Sequence, residues 1–244
     1  MELGRHRDAA ESFGHCLRLQ KEKYGDQHES IAQTLISLGH AHAKLGDFAE
    51  SKACYTHAIT VLKQCYGDYA DVGKCWMKIA EIYLKENRED QALRCYKESL
   101  TILQTIQICD DYAWSVYQGT GECLLCLKRP QEAMAFLDKA FSLANKIKDI
   151  NKISDSQLMT ALAQFQNGEE EPALKNTREA ISLMLPVLGD GRKSQSVFSA
   201  IDFSLNVCKC LLSSSKRHFL PKVVDSLYSY YTHPYHSIKD CWNA

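Results

Sequence analysis

The chain has 244 residues, of which 45% are hydrophobic and 24% are charged. This composition is too apolar for a disordered chain, and 29 Lys and Arg nearly balance 30 Asp and Glu, which excludes the basic bias of a dedicated nucleic-acid binder. With only 5 prolines and 12 glycines, long helices are favoured over turn-dense β structure. Because no apolar run approaches the roughly 20 residues of a membrane-spanning helix, we expect no membrane insertion.

The cysteines show no pattern that predicts a disulfide framework or a metal site. Eleven of them occur without an export signal, which predicts reduced thiols in the cytosol or nucleus. Cys123 and Cys126 form a CxxC string, but no second pair at zinc-ligand spacing follows them. The sequence also has no nucleophile elbow and no Gly-rich phosphate loop. We therefore predict no metal, no cofactor and no catalytic residues, and the chain is not expected to be an enzyme.

The first predicted helix, over residues 3–19, has a pattern of small and bulky residues that recurs along the chain at steps of 40–42 residues. Because the pattern has helical spacing, each copy predicts a helix with one close-contact face. The five copies are Gly4, Ala9, Phe13, Cys16 and Leu17; Gly46, Ser51, Tyr55, Ala58 and Ile59; Asn87, Ala92, Tyr96, Ser99 and Leu100; Lys128, Ala133, Leu137, Ala140 and Phe141; and Gly168, Ala173, Thr177, Ala180 and Ile181.

A further helix is predicted ahead of each later copy, with a small residue where its partner approaches. The residues on its packing face are Leu35, Leu38, Gly39 and His42; Trp76, Ile79, Ala80 and Tyr83; Tyr117, Thr120, Gly121 and Leu124; and Gln157, Thr160, Ala161 and Gln164. Between the two helices of a unit, Gly46, Asn87 and Gly168 are predicted to adopt a positive φ, which costs little for Gly and is tolerable for Asn.

Small and aromatic residues at these spacings, in a helix–turn–helix unit, resemble the tetratricopeptide repeat. The unit that contains Trp76, Ala80 and Tyr96 fits that signature best. The step is longer than the usual ~34 residues of the family. The Gly-Asp strings that begin at Gly25 and Gly67 make this longer unit similar to the kinesin light chain type. The resemblance implies an all-α, right-handed superhelical solenoid that binds other proteins.

The repeats divide the chain into four predicted parts. Residues 1–22 supply the second helix of an incomplete repeat, whose partner face would be bare, and residues 23–185 form about four repeats. Residues 186–231 are predicted to form a capping helical hairpin. Residues 232–244 are predicted to be a loose tail, which could fold back into the groove of the solenoid.

The concave face of such a solenoid is lined by the first helix of each unit, and it is where the sequence predicts a groove for a partner's extended or helical peptide. Lysines outnumber glutamates in this groove, which favours a mildly acidic peptide. The resemblance to repeats of the kinesin light chain type implies that the peptide also contains aromatic residues. The predicted groove residues are Gln33, Ile36, His40, Lys44, Lys74, Met77, Lys78, Glu81, Lys85, Gln118 and Glu122.

The predicted function is that of a non-catalytic adaptor or scaffold in the cytoplasm, in cargo transport or in a cytoskeletal or ciliary assembly. The mixture of Lys and Glu in the groove predicts no nucleic-acid partner. The alternative is a structural role, in which residues 3–19 self-associate and the chain is a spacer or scaffold segment of a longer repeat protein. A scaffold segment would self-associate, whereas a peptide-binding module would be monomeric.

Overall fold

The computed structural model describes residues 2–67, 69–106 and 109–189. These residues form α-helices joined by short turns, and none of them lies in a β-strand. The helices are α1 (Glu2–Tyr24), α2 (Glu29–Leu45), α3 (Phe48–Tyr66), α4 (Ala70–Lys85), α5 (Glu89–Thr105), α6 (Asp110–Cys126), α7 (Pro130–Ile147), α8 (Ile150–Gln166) and α9 (Glu170–Gly189).

The described residues fall into two compact units, the first ending at Ile147 and the second beginning at Lys148. In the first unit, the helix pairs α2/α3, α4/α5 and α6/α7 each pack closely, and consecutive pairs are joined by packing of α3 on α4 and of α5 on α6. In the second unit, α8 packs on α9. This arrangement confirms the predicted fold class, an all-α solenoid of helix–turn–helix repeats. We call α2, α4, α6 and α8 the first helices, and α3, α5, α7 and α9 the second helices.

The turn inside each repeat requires one residue with a positive φ. The φ values are 84° at Gly46, 54° at Asn87, 58° at Lys128 and 83° at Gly168. The backbone amide of Gly46 donates to Ala43 O, which satisfies one of the carbonyls left free at the end of α2. The predicted positive φ at Gly46, Asn87 and Gly168 is therefore confirmed, and Lys128 adopts the same conformation despite its side chain.

The small and bulky residues of the repeat form the core of each helix pair. The second helices bury them at equivalent positions: Ser51, Tyr55 and Ala58 on α3; Ala92, Tyr96 and Ser99 on α5; Ala133, Leu137 and Ala140 on α7; and Ala173, Thr177 and Ala180 on α9. A Cβ atom added to Gly39 would lie 3.1 Å from the ring of Tyr55, and one added to Gly121 would lie 2.8 Å from Cγ of Leu137. The small residue on the first helix therefore leaves the space that the bulky side chain of the second helix occupies.

Helix α1 lacks a first helix of its own within the described chain, and its equivalent positions are less covered. Ala9 and Phe13 are half-buried, Cys16 is exposed and Leu19 is 60% exposed. Helix α1 packs on α2, and a hydrogen bond joins the two helices. The Thr34 hydroxyl of α2 donates to Gln20 Oε1 of α1 over 2.8 Å.

Part of the predicted organisation falls beyond the described residues. The capping hairpin was expected over residues 186–231, and the structure includes residues 186–189 in α9. The rest of that hairpin and the tail over residues 232–244 lie outside the described residues. Within the described part of the chain, no helix is both long and apolar enough to cross a membrane.

The tight approach of α5 to α6 predicts opposite effects for two Gly→Ala substitutions. Gly119 lies inside α6, where an added Cβ would be 2.8 Å from Cε1 of Tyr96. Gly119→Ala should therefore lower the free energy of unfolding by about 1–3 kcal/mol, as overpacking does. Gly14 lies inside α1 with no atom within 4 Å of an added Cβ, so Gly14→Ala should raise it by up to about 1 kcal/mol through helix propensity. Urea denaturation followed by circular dichroism measures both, and equal stabilisation by the two substitutions would contradict the packing.

Candidate peptide-binding groove

The first helices of the first unit carry equivalent residues side by side. Because the repeat step is nearly constant, residues at the same level of α2, α4 and α6 form rows, and α4 contacts α6 directly. The rows that contain the predicted groove residues are Gln33, Lys74 and Ser115; Ile36, Met77 and Gln118; Ser37, Lys78 and Gly119; His40, Glu81 and Glu122; and Lys44, Lys85 and Cys126. A ligand that crosses these helices follows such a row and meets α2, α4 and α6 in turn.

Between α1, α2 and α4 the structure contains a cavity with a volume of about 490 Å³. The predicted groove residues that line it are His40, Lys44, Lys78, Glu81 and Lys85. The folding of the repeats thus brings residues of two consecutive units to one site, which is open to solvent and large enough for amino-acid side chains of a partner.

The sequence-based prediction did not include the wall that α1 contributes. His6, Ala9 and Phe13 of α1 line the cavity, together with Tyr55 at its base. A signal for this wall was present in the sequence, because Phe13 occupies the repeat position of Tyr55, which also lines the cavity. Ser37, Ala41, Ala43 and Ile82 also line the cavity.

The remaining predicted groove residues lie outside the cavity in different environments. Gln33 of α2 donates to Asp71 of α4 over 3.1 Å, so it links two first helices. Ile36 is half-buried, whereas Met77 and Gln118 are buried. The structure therefore differs from the expectation of an open surface at the last two positions, because α4 and α6 contact each other there.

The four lysines of the groove are not equivalent. Lys74 donates to Asp71 over 2.8 Å, and Lys78 donates to both carboxylate oxygens of Glu81 over 2.8 and 2.9 Å. Each of these ion pairs joins residues three apart on α4, a spacing at which helical side chains meet. Lys44 and Lys85 form no ion pair with any described residue. The positive charges of Lys44 and Lys85 are therefore available to pair with acidic groups of a ligand.

His40 lies between these charges and packs edge-on against Tyr55, with 5.7 Å between the ring centroids. Partial burial lowers the pKa of His40 below its usual 6.5, and Lys78 and Lys44 lower it further, whereas Glu81 acts in the opposite direction. The imidazole is therefore neutral at pH 7, and its ring can serve as a hydrogen-bond donor or acceptor in the cavity.

Glu122 occupies the position of His40 on α6. Its side chain reaches solvent, but protein atoms around the carboxylate reduce its hydration, which raises the pKa of Glu122 above its ordinary value. The nearby Glu81 raises this pKa further. No described residue forms an ion pair with Glu122. The part of the groove on α6 is therefore acidic.

The thiols close to these helices are suited to packing. Burial raises the pKa of Cys54 and Cys95 to about 11, and that of Cys75 and Cys123 to about 12, so all four are protonated at neutral pH. A thiol is a much weaker nucleophile and metal ligand than a thiolate. Among the described residues, no group of His, Cys, Asp and Glu is arranged to hold a metal ion.

Comparison with known families agrees with the helix-pair geometry. The model of the tetratricopeptide repeat family matches residues 1–64 and 30–105. Together these matches cover the first 105 residues of the chain. The resemblance seen in the spacing of small and aromatic residues is therefore confirmed, and the helix pair α6/α7 continues the same packing.

Solved structures share the fold. One is a putative kinesin light chain from Podosopora anserina with nearly identical tetratricopeptide-like repeats; it has 14% sequence identity and a TM-score of 0.64, over 76% of this chain and 89% of that one. Another is PlcR of Bacillus thuringiensis, solved in complex with the peptide PapR7 and DNA, with 14% identity and a TM-score of 0.60 over 80% of this chain and 69% of that one.

A curated relative is outer dynein arm-docking complex subunit 4 of Bos taurus. It is 19% identical over 187 residues, which are 76% of this chain. The match spans 26% of the length of that relative.

The charges around His40 predict how its pKa responds to substitution. Lys78→Met removes a neighbouring positive charge and frees Glu81, and both changes favour the imidazolium, so the pKa of His40 should rise. Proton NMR titration of the His40 ring measures the shift. Lys97→Met on the exposed face of α5 should leave the pKa of His40 unchanged.

The lowered pKa of His40 also determines how the free energy of unfolding changes with pH. Between pH 6.5 and the folded-state pKa of His40, the unfolded chain binds more protons at this position than the folded chain. His40 therefore causes stability to fall as the pH drops through this range, and Lys78→Met should reduce that loss. An unchanged or lower His40 pKa in Lys78→Met would contradict the placement of these groups.

Proposed function

We propose that the chain is a protein-interaction module that binds a peptide segment of a partner protein in the groove of α2, α4 and α6, and that it acts as an adaptor or scaffold without catalysis. The observation that carries the proposal is the cavity between α1, α2 and α4, where Lys44 and Lys85 lie without ion-pair partners among the described residues. Tetratricopeptide repeats serve in general as scaffolds for protein–protein interaction, and a preformed groove suits an extended or helical peptide.

The side chains of the cavity favour a ligand with both acidic and aromatic character. Lys44 and Lys85 supply positive charge, while Ala9, Phe13 and Ile82 supply apolar contact area. An aromatic ring buries a large area at a low cost in conformational entropy, and a neighbouring carboxylate can pair with the lysines. The PlcR structure, which holds the peptide PapR7, is an example of peptide binding on the same fold.

The cellular setting that we propose is the cytoplasm, at a cytoskeletal or ciliary assembly. The support comes from the similarity to outer dynein arm-docking complex subunit 4 and from the fold shared with a putative kinesin light chain. One name refers to the docking of an outer dynein arm, and the other refers to a kinesin light chain. The partner of this chain would then be a subunit of such an assembly.

A second candidate function is self-association, and the exposure of α1 favours it. Leu19 is 60% exposed, and Cys16 is exposed at a position that the other second helices bury. A second copy of the chain could cover these side chains. Light scattering of the purified chain separates the two candidates, because the peptide-binding module is monomeric and the scaffold segment is a dimer or larger.

The groove proposal is tested with a displayed library of random 12-residue peptides selected on the immobilised full chain. Selected peptides should bind the double variant Lys44→Glu, Lys85→Glu at least about tenfold more weakly, because two favourable charge contacts become repulsive. The matched control is Arg94→Glu, Lys97→Glu, which makes the same charge change on exposed residues of α5. Fluorescence anisotropy measures the affinities. Equal affinity for the wild type and the groove variant would place binding elsewhere, and so would a loss of affinity in the control.

The cellular setting has its own test. In ciliated cells, a fluorescently tagged full chain should concentrate along the cilia, and the groove variant Lys44→Glu, Lys85→Glu should be dispersed if groove binding recruits it. The Arg94→Glu, Lys97→Glu control should localise as the wild type does. A uniform distribution of the wild type through the cytoplasm would refute the ciliary proposal and leave the peptide-binding proposal standing.

A further inference from the structure

The groove of the first unit has charges of opposite sign at its two ends. At the end near α1, Lys44 of α2 and Lys85 of α4 border the cavity, and neither has an ion-pair partner among the described residues. His40, between them, has a lowered pKa and adds no charge at pH 7. This basic end therefore carries two positive charges that a ligand can neutralise.

The end on α6 carries the opposite charge. Glu122 is exposed on α6 in the same row as Glu81 of α4, and reduced hydration and the nearby Glu81 raise the pKa of Glu122. Lys78 pairs with Glu81 over 2.8 Å, whereas Glu122 remains without an ion pair among the residues that the structure describes. A Lys or Arg of a ligand placed beside Glu122 would supply the ion-pair partner that this carboxylate lacks.

The basic end of the groove also contains an aromatic side chain. Tyr55 lines the cavity and is 1% exposed, and its ring packs edge-on against that of His40. Burial raises the pKa of Tyr55, so its hydroxyl keeps its proton and adds no negative charge to this end.

We propose that the groove selects a segment bearing two opposite charges: an acidic side chain that enters the cavity between Lys44 and Lys85, and a Lys or Arg that pairs with Glu122 on α6. This inference rests on the proposed peptide-binding function and specifies its ligand. The basic residue of the ligand is the new element, because a count of groove lysines alone favours a purely acidic peptide.

The spacing of the two charges follows from the geometry of the helices. Packed helices lie about 8–10 Å apart, and an extended chain advances about 3.3 Å per residue, so a peptide passes one helix in about three residues. The cavity lies between α2 and α4, and Glu122 lies on the next first helix. The acidic and basic residues of an extended ligand should therefore be about three to five positions apart.

The test repeats the selection of random 12-residue displayed peptides on the wild-type chain and on Glu122→Lys. The wild-type pool should be enriched in peptides with an acidic and a basic residue three to five positions apart. The Glu122→Lys pool should lose the basic residue and keep the acidic one. Glu98→Lys, the same change on an exposed residue of α5, should select the same peptides as the wild type.

A charge-swap experiment with one selected peptide makes the test sharper. Replacing the basic residue of the peptide with Glu should weaken its binding to the wild type about tenfold and restore binding to Glu122→Lys. Glu122→Gln, which keeps the size of the side chain, should lower the affinity of the original peptide without favouring the swapped one. Circular dichroism verifies that all variants are folded.

The outcomes distinguish the two proposals. If selected peptides lose affinity for Lys44→Glu, Lys85→Glu but bind Glu122→Lys as they bind the wild type, the groove binds peptides and the opposite-charge inference is wrong. The inference is also overturned if the wild-type pool contains no enriched basic residue. If no peptide is selected, or if the lysine reversals have no effect, the peptide-binding proposal itself fails.

Discussion

The contact on which the repeats depend is that of a bulky side chain on the second helix with a glycine or alanine on the first. Tyr55 packs on Gly39, and Leu137 packs on Gly121, at separations that leave little room for a Cβ atom. Each of these contacts fixes the distance between the two helices of a pair. Because the pairs then stack on one another, the contact also fixes where the first helices place their remaining side chains, and so determines the shape of the groove.

The charge of the groove depends on helical spacing as much as on composition. The ion pairs of Lys74 with Asp71 and of Lys78 with Glu81 form within one helix, and they neutralise lysines that would otherwise attract an acidic partner. Lys44 stays unpaired among the described residues because α2 has no carboxylate three or four residues away, and Lys85 stays unpaired because Glu81, four residues before it, pairs with Lys78. The acidic end around Glu122 arises because neighbouring first helices place two glutamates in the same row.

Helix α1 has a double role at this end of the solenoid. One face packs on α2 through contacts such as that of Thr34 with Gln20, and the adjacent residues His6, Ala9 and Phe13 form a wall of the cavity. In the complete repeats the residue equivalent to Phe13 is buried by the first helix of its own unit. Phe13 itself is half-buried and lines the cavity, where it offers an apolar surface to a ligand.

The sequence by itself determined the helix pairs, the positive φ at Gly46, Asn87 and Gly168, and the buried faces of the second helices. These features are local or periodic, and they follow from helical spacing and from the conformational freedom of each residue. It also placed His40, Lys44, Lys78, Glu81 and Lys85 on the groove face, which the structure brings together at one cavity. Only the tertiary structure decided which lysines are neutralised, that Met77 and Gln118 are buried, and that α1 closes the cavity. The burial of Met77 and Gln118 and the closure by α1 depend on distances between different helices, which the spacing of residues along one helix does not specify. The neutralised lysine on α4 depends on which way Glu81 turns, because Lys78 and Lys85 both lie at helical spacing from it.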